Sequence, residues 1–201
     1  LLWKTFSTIF YFFPKQKLSF REMTNRLFLE DITTDTLSLH YTLAHPSHYS
    51  IESYPLTLPK YSKDAIEQSK SKIENSLDFL SNMDISTLST EEIYSYNLLK
   101  DYFSIQKQGF PYTYLEEYFS PSSGIIVNYP VLMAEYTFRN EKDVTDYLTL
   151  LTDTPNYFDS FFQFQKERAK KGYLLASVSL LEVLEQCDTI ITKESLQNNS
   201  H

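Results

Sequence analysis

The stretch Asn140-Glu141-Lys142-Asp143-Val144-Thr145-Asp146-Tyr147-Leu148-Thr149-Leu150-Leu151, followed by Thr154-Pro155, Phe158, Phe161-Phe162 and Arg168-Ala169-Lys170-Lys171-Gly172, decides the fold class. Asn140 is a favoured N-cap residue, and Val144, Tyr147, Leu148 and Leu151 recur at i, i+3, i+4 and i+7, the stripe of an amphipathic helix. Thr154-Pro155 reads as a second cap with proline at the first helical position. That next helix carries Phe158, Phe161 and Phe162. It closes on cations ahead of Gly172, where positive charge suits the negative end of the helix dipole. Ser179-Leu180-Leu181-Glu182 then forms a capping box for a third helix, with Leu180, Val183, Leu184, Cys187 and Ile191 on its inner face.

The same punctuation extends towards the N-terminus. Ser19-Phe20-Arg21-Glu22 is a capping box that starts a helix at Phe20, running through Leu27, Phe28 and Ile32. A segment with Leu37, Leu39, Tyr41 and Leu43 ends before Pro46. Residues 46–61 contain Pro46, Pro55 and Pro59 and read as loop, because proline at that density removes the donors a helix needs. Ile66, Ile73, Leu77 and Leu80 mark an amphipathic helix from Ser62 to about Leu80. Ser89-Thr90-Glu91-Glu92 opens another, with Ile93, Tyr96, Leu99, Tyr102 and Phe103 as its stripe and Gly109 as a left-handed stop. A Tyr-rich connection fills residues 110–124. Val131 to Phe138 is apolar nearly all round and reads as buried. The expected fold is therefore all-α, an irregular array of amphipathic helices.

Composition narrows the classes of function. The chain has 201 residues, enough for one substantial domain, and only three glycines, too few for the tight turns of all-β or doubly wound folds. Its net charge of −8 disfavours a nucleic-acid backbone as partner, since such binding rests on clustered Lys and Arg. The lone Cys187 excludes an internal disulfide framework.

Candidate chemistry is thin. The isolated glycines make no dinucleotide fingerprint, P-loop or nucleophile elbow. His40, His45 and His48 are spaced by five and three with Pro46 between them, not the i, i+4 spacing of a helical zinc pair, and read as a surface or helix-end set. Cys187, on an apolar stripe, reads as a small buried hydrophobe. Glu116-Glu117 reads as a solvated face, and Lys166, Arg168, Lys170 and Lys171 as a helix-end effect. The turn Ser122-Ser123-Gly124, beside the aromatic cluster of Tyr112, Tyr114 and Tyr118, is the candidate that presents hydroxyls and amides to a ligand. A turn with a helix cap explains the same residues. Tyr118, Ser122, Ser123 and Gly124 are therefore the candidate substrate-binding residues; no catalytic or metal-ligating set is assigned.

Read together, Tyr114-x-Glu116-Glu117-x-x-Ser120-Pro121-Ser122-Ser123-Gly124-Ile125, Pro130-Val131-Leu132-x-Ala134-Glu135-Tyr136-x-Phe138-Arg139-Asn140-Glu141-Lys142-Asp143-Val144 and Asp153-Thr154-Pro155-x-Tyr157-Phe158-Asp159-Ser160 resemble the bacterial DUF885 family. Leu39-His40-Tyr41-Thr42-Leu43-Ala44-His45-Pro46 and Tyr94-Ser95-Tyr96-Asn97-Leu98-Leu99 resemble that family's N-terminal region. The resemblance implies kinship with helical zinc metallopeptidases, whose His-Glu-x-x-x-His motif lies further downstream. This chain carries no such motif, so it implies no cofactor in this chain and zinc only in full-length relatives. It further implies the N-terminal part of a larger helical fold, inactive alone. The expected partner is a C-terminal catalytic half or an equivalent chain, with a peptide as the full-length relative's substrate. A free-standing helical binding or adaptor domain is the alternative.

Leu1 to Phe13 is strongly apolar and ends at Pro14, shorter than the roughly 20 residues a membrane span needs. It reads as a docked arm or the remnant of a signal, with no Ala-x-Ala-like site after it. A membrane-surface anchor is a weaker reading, for want of a basic polar face. A signal remnant implies a secreted or cell-envelope protein; otherwise the chain is cytoplasmic. The domain expectation is an arm at 1–18, a helical region at 19–192 and a polar tail at 193–201.

Overall fold

The computed structural model describes residues 18–189, so the arm at 1–13, the tail at 193–201 and Ile191 lie outside the described residues. These residues form seven α-helices and no strand: α1 (Phe20–Ile32), α2 (Thr36–Thr42), α3 (Lys63–Ser81), α4 (Thr90–Gly109), α5 (Ile125–Ala134), α6 (Glu141–Lys170) and α7 (Ser177–Thr189). Short 3-10 turns occupy Pro46–Tyr49, Ile85–Thr87 and Phe110–Leu115. The expected all-α class is the observed one.

Helix starts follow the cap chemistry through the first half of the chain. Ser19 and Ser89 make complete capping boxes with Glu22 and Glu92, and Ser62 caps α3 through the Ala65 amide. Helices α3 and α4 form an antiparallel hairpin: Tyr96 donates to the Leu80 carbonyl at 3.1 Å, and Lys107 pairs with Glu74 at 3.3 Å. Helix α1 lies against that hairpin, and Phe20, Met23, Leu80, Tyr96 and Phe103 close a core between them. Ile93 and Tyr102, expected on the inner stripe, are exposed. Gly109 is not a left-handed stop: its φ is −73° and the chain runs straight on into the 3-10 turn at Phe110.

The second core is built on α5 and α6, with Ile125, Tyr129, Met133, Leu150, Tyr157 and Phe161 at its centre. Here three expectations fail. Thr154-Pro155 does not start a helix; α6 runs unbroken for 30 residues with Pro155 inside it. The Thr154 hydroxyl is paired with the Tyr129 phenol instead of capping. Leu150 and Phe161, buried on either side, hold both halves to the same core. Of the stripe that identified the helix, Tyr147 packs half-buried against the core, but Val144, Leu148 and Leu151 face solvent, while Asp143, Asp146 and Leu150 face in.

The segment Val131 to Phe138 is likewise only half buried. Helix α5 starts earlier, at Ile125, and buries Ile125, Ile126, Tyr129 and Met133, whereas Val131 and Phe138 are exposed. Helix α7 begins at Ser177, with the Leu180 amide already bonded to the Ala176 carbonyl, so Ser179 is interior and not a cap. Val183 is buried, but Leu180, Leu184 and Cys187 are exposed, so Cys187 is not a core hydrophobe. Gly172 alone meets the left-handed expectation, at φ +83°.

The proline-rich loop is stapled between α2 and α6. Thr36 donates its amide to the Thr57 carbonyl at 3.0 Å and its hydroxyl to the Pro55 carbonyl at 2.9 Å. Asp153 of α6 accepts the Leu58 amide at 3.1 Å, and Leu58 is buried. Proline removes helical donors, but the amides of Thr57, Leu58 and Tyr61 find acceptors on α2 and α6, which fixes this end of the loop on the core.

Candidate functional site

The groove that contains Tyr118 has a volume of about 830 Å³ and runs between α2, α3 and the 3-10 turn at Phe110–Leu115. Tyr61, Phe110 and Tyr112 supply aromatic walls, with Asp35 and Glu116 as carboxylates. Tyr118 stacks its ring edge against Phe161 and Phe164, with centroids 5.0 and 5.2 Å away, and lies 5.0 Å from Tyr61. Its hydroxyl donates to the Glu116 carboxylate. Burial pushes the Tyr118 phenol well above its ordinary value, and the Glu116 charge adds to the effect, so it stays protonated and acts as a hydrogen-bond donor. Burial also raises the Tyr61 phenol, with Asp35 and Glu116 as the next causes.

The other three candidate residues sit elsewhere. The groove lining leaves out Ser122, Ser123 and Gly124. Ser122 and Ser123 are exposed on a turn whose backbone groups serve the chain itself. The Gly124 amide bonds to the Ser120 carbonyl at 2.7 Å, the Ile125 amide to the Tyr118 carbonyl at 2.8 Å, and Asn128 donates its side-chain amide to the Ser123 carbonyl at 2.8 Å. Gly124 is the N-cap of α5 with φ −78°, so its need is for space and not for a left-handed backbone. A Cβ there meets the Ser120 carbonyl head-on and comes within 2.7 Å of the Ser120 nitrogen and 2.8 Å of the Tyr118 carbonyl. The turn is thus the joint that sets Tyr118 against α5.

Glu117 is not a solvated acid, and Arg168 is more than a helix-end cation. Arg168 is buried and forms an ion pair with Glu117, while its Nε donates to the Tyr114 carbonyl at 2.9 Å. Glu117 also accepts Gln165 at 2.8 Å and the Phe119 amide at 2.9 Å. With the guanidinium and carboxylate this fully bonded, the pair clamps the Tyr-rich connection onto α6.

A second polar centre escapes the sequence reading. His40 is buried and stacked on Tyr136 at 3.7 Å and 9°; Arg139 rests its guanidinium on the ring, 3.2 Å from Nδ1, and donates to the His40 carbonyl at 3.2 Å. Asp143 accepts the backbone amides of Arg139 and Asn140 at 2.7 and 3.2 Å. Asp146 accepts Tyr54 at 2.7 Å and pairs with Lys142. His40, Tyr54, Arg139, Lys142 and Asp143 line a cavity of about 250 Å³, with Asp146 behind Tyr54 and Lys142. The signal that identifies them is the pattern Asp143-x-x-Asp146, whose i, i+3 spacing puts both carboxylates on one helix face. Among the described residues no group of three or more His, Cys, Asp or Glu side chains is arranged to hold a metal ion, and no helix is long and apolar enough to cross a membrane.

Residues 52–200 match the model of a family described as bacterial proteins of unknown function, DUF885. The chain belongs to the DUF885 family. No curated protein and no solved structure matches it. The DUF885 match begins at Glu52, so it takes in Tyr118, the Ser122–Gly124 turn, the Glu117–Arg168 clamp and Arg139, while His40 and its helix α2 lie upstream of it.

Proposed function

We propose that this chain is the N-terminal helical portion of a peptidase-like DUF885 protein, inactive by itself, whose outward apolar faces seat a C-terminal catalytic half or an equivalent chain. The observation that carries this reading is the run of apolar stripes that no described residue covers. On α6, Val144, Leu148 and Leu151 recur at i, i+4 and i+7 and are exposed, and on α4 Tyr94, Leu98, Tyr102 and Ile105 do so nearly along its whole length. At the start of α7, Val178 and Leu181 lie a turn apart and are 64% and 67% exposed, beside Leu174 of the preceding loop at 74%. Single exposed hydrophobes are ordinary, whereas stripes at helical spacing mark faces that pack against another helix. In this reading the helical region of residues 19–192 acts as a wall, and the Tyr118 groove contributes a surface for peptide with Tyr118 as donor and the Ser122–Gly124 turn as its support. The parent chemistry is zinc-activated water attacking a peptide carbonyl, carried by the other half.

The test is sedimentation velocity over a concentration series, with peptide hydrolysis measured in parallel. The isolated chain is expected to self-associate as concentration rises and to turn over no fluorogenic peptide with zinc added. A monodisperse, cooperatively melting monomer would overturn the docking faces, and zinc-dependent turnover would overturn the inactivity. A reading frame continuing beyond His201 into His-Glu-x-x-x-His favours the peptidase portion over an adaptor domain.

A further inference from the structure

We propose that His40 is a protonation latch: its neutral ring holds α2 and the following loop onto the α5–α6 junction, and uptake of a proton at that ring releases them. Arg139 Nη1 lies 3.2 Å from Nδ1 and 3.4 Å from Nε2, so nearly equidistant that the guanidinium rests on the ring face and not in line with either lone pair. A cation on that face suits an uncharged, electron-rich ring. Adding a proton to the buried ring sets two positive charges in direct contact. The contact turns repulsive, and the guanidinium that also grips the His40 carbonyl is pushed from the end of α2.

The groups around the ring decide the direction. From α2 itself comes Tyr41, edge-on at 5.6 Å; from the loop come His45, Glu52 and Tyr54; from the α5–α6 junction come Tyr136 and Arg139; and from α6 come Lys142, Asp143 and Asp146. The two carboxylates favour the charged ring, as does the Thr137 carbonyl, but neither aspartate gives it a hydrogen bond. Asp143 is occupied by the amides of Arg139 and Asn140, and Asp146 by Tyr54 and Lys142. Burial, first, and Arg139, second, outweigh them, and the His40 ring is held below its ordinary value of 6.5. The folded chain therefore takes the proton later than the unfolded chain does. Stability contributed by the neutral ring is present above about 6.5 and falls as pH drops below it, levelling off once the folded ring is charged too.

What acid releases is specific. His40, Leu39 and Leu43 leave a cavity of about 250 Å³ that already opens beside them, while the loop keeps its holds on α6 through Tyr54 to Asp146 and Leu58 to Asp153. The experiment is an NMR titration of the His40 ring signals in the whole chain, alongside hydrogen exchange of α2 at pH 7.5 and 5.5. His40 is expected to titrate below the ordinary histidine value of 6.5, and intrinsic-rate-corrected exchange across residues 39–43 to rise severalfold over its transition. The α3–α4 hairpin should show no such rise, and His40→Gln, whose side chain stays uncharged at any pH, should lose the effect. Titration of His40 at or above 6.5 would overturn the proposal, as would α2 protection unchanged through the His40 transition. Both are read on the natural chain, so the proposal remains testable if the variant fails to fold.

Discussion

The α3–α4 hairpin and the long helix α6 are both amphipathic, yet their apolar patterns relate differently to what they bury. In the hairpin, most of the pattern that reveals the helices also packs them: Leu80, Tyr96 and Phe103 belong to the apolar pattern and to the core, and Ile93 and Tyr102 stand out in solvent. In α6, Val144, Leu148 and Leu151 reveal the helix but stand in solvent, and the buried face mixes Leu150 and Phe161 with Asp143 and Asp146. The core-facing side of the hairpin is written in its apolar pattern, whereas in α6 that pattern marks the outer face, the one offered to a second neighbour in the proposed reading.

This contrast breaks most readily at buried and exposed leucines. Leu80→Ala in the hairpin and Leu150→Ala in α6 each remove a fully buried side chain and should cost about 2–5 kcal/mol in chemical denaturation. Leu148→Gln should cost no more than about 0.5 kcal/mol while weakening concentration-dependent association. A large stability loss at Leu148 would mean that the outer face of α6 is covered within the chain.

Pro155 gives the next effect. It is exposed and interior to α6, where proline costs about 3 kcal/mol by removing a helical donor and crowding the preceding turn. Pro155→Ala gives back about 0.4–1 kcal/mol through the freer unfolded chain. The variant should therefore be more stable by about 2 kcal/mol, read as a higher thermal midpoint. Destabilisation there would show that the packing of α6 in this chain is built around the proline.

The smallest effect separates two similar local signatures. Ser89→Ala removes a working cap and should cost about 1 kcal/mol, whereas Ser179→Ala, inside α7, should change stability by less than about 0.5 kcal/mol. Equal losses would mean that α7 starts at its capping box after all.

The legible part of the site was the aromatic cluster, because a Tyr-rich connection beside a glycine turn is written locally. What joined Tyr118 to Glu116 and Tyr61, and left Ser122 and Ser123 outside the groove, was the path of the turn, which reverses the chain so that the Ile125 amide reaches the Tyr118 carbonyl. The Glu117–Arg168 and His40–Arg139 pairs join residues 51 and 99 positions apart. No local pattern marks such partners, since a charged residue beside a loop looks the same whether water or a buried arginine faces it.

The amino-acid sequence by itself determined the all-α class, the cap-defined starts of α1, α3 and α4, the left-handed stop at Gly172 and the kinship with DUF885 proteins. These rest on interactions within a turn or two of chain, or on long stretches read as a whole. Only the tertiary structure decided that Pro155 lies within a helix, which of the two apolar faces of α6 is buried, and that His40 is locked beneath Arg139. Each of those outcomes is a competition between a local preference worth about 1–3 kcal/mol and burial summed over several distant side chains, and burial wins.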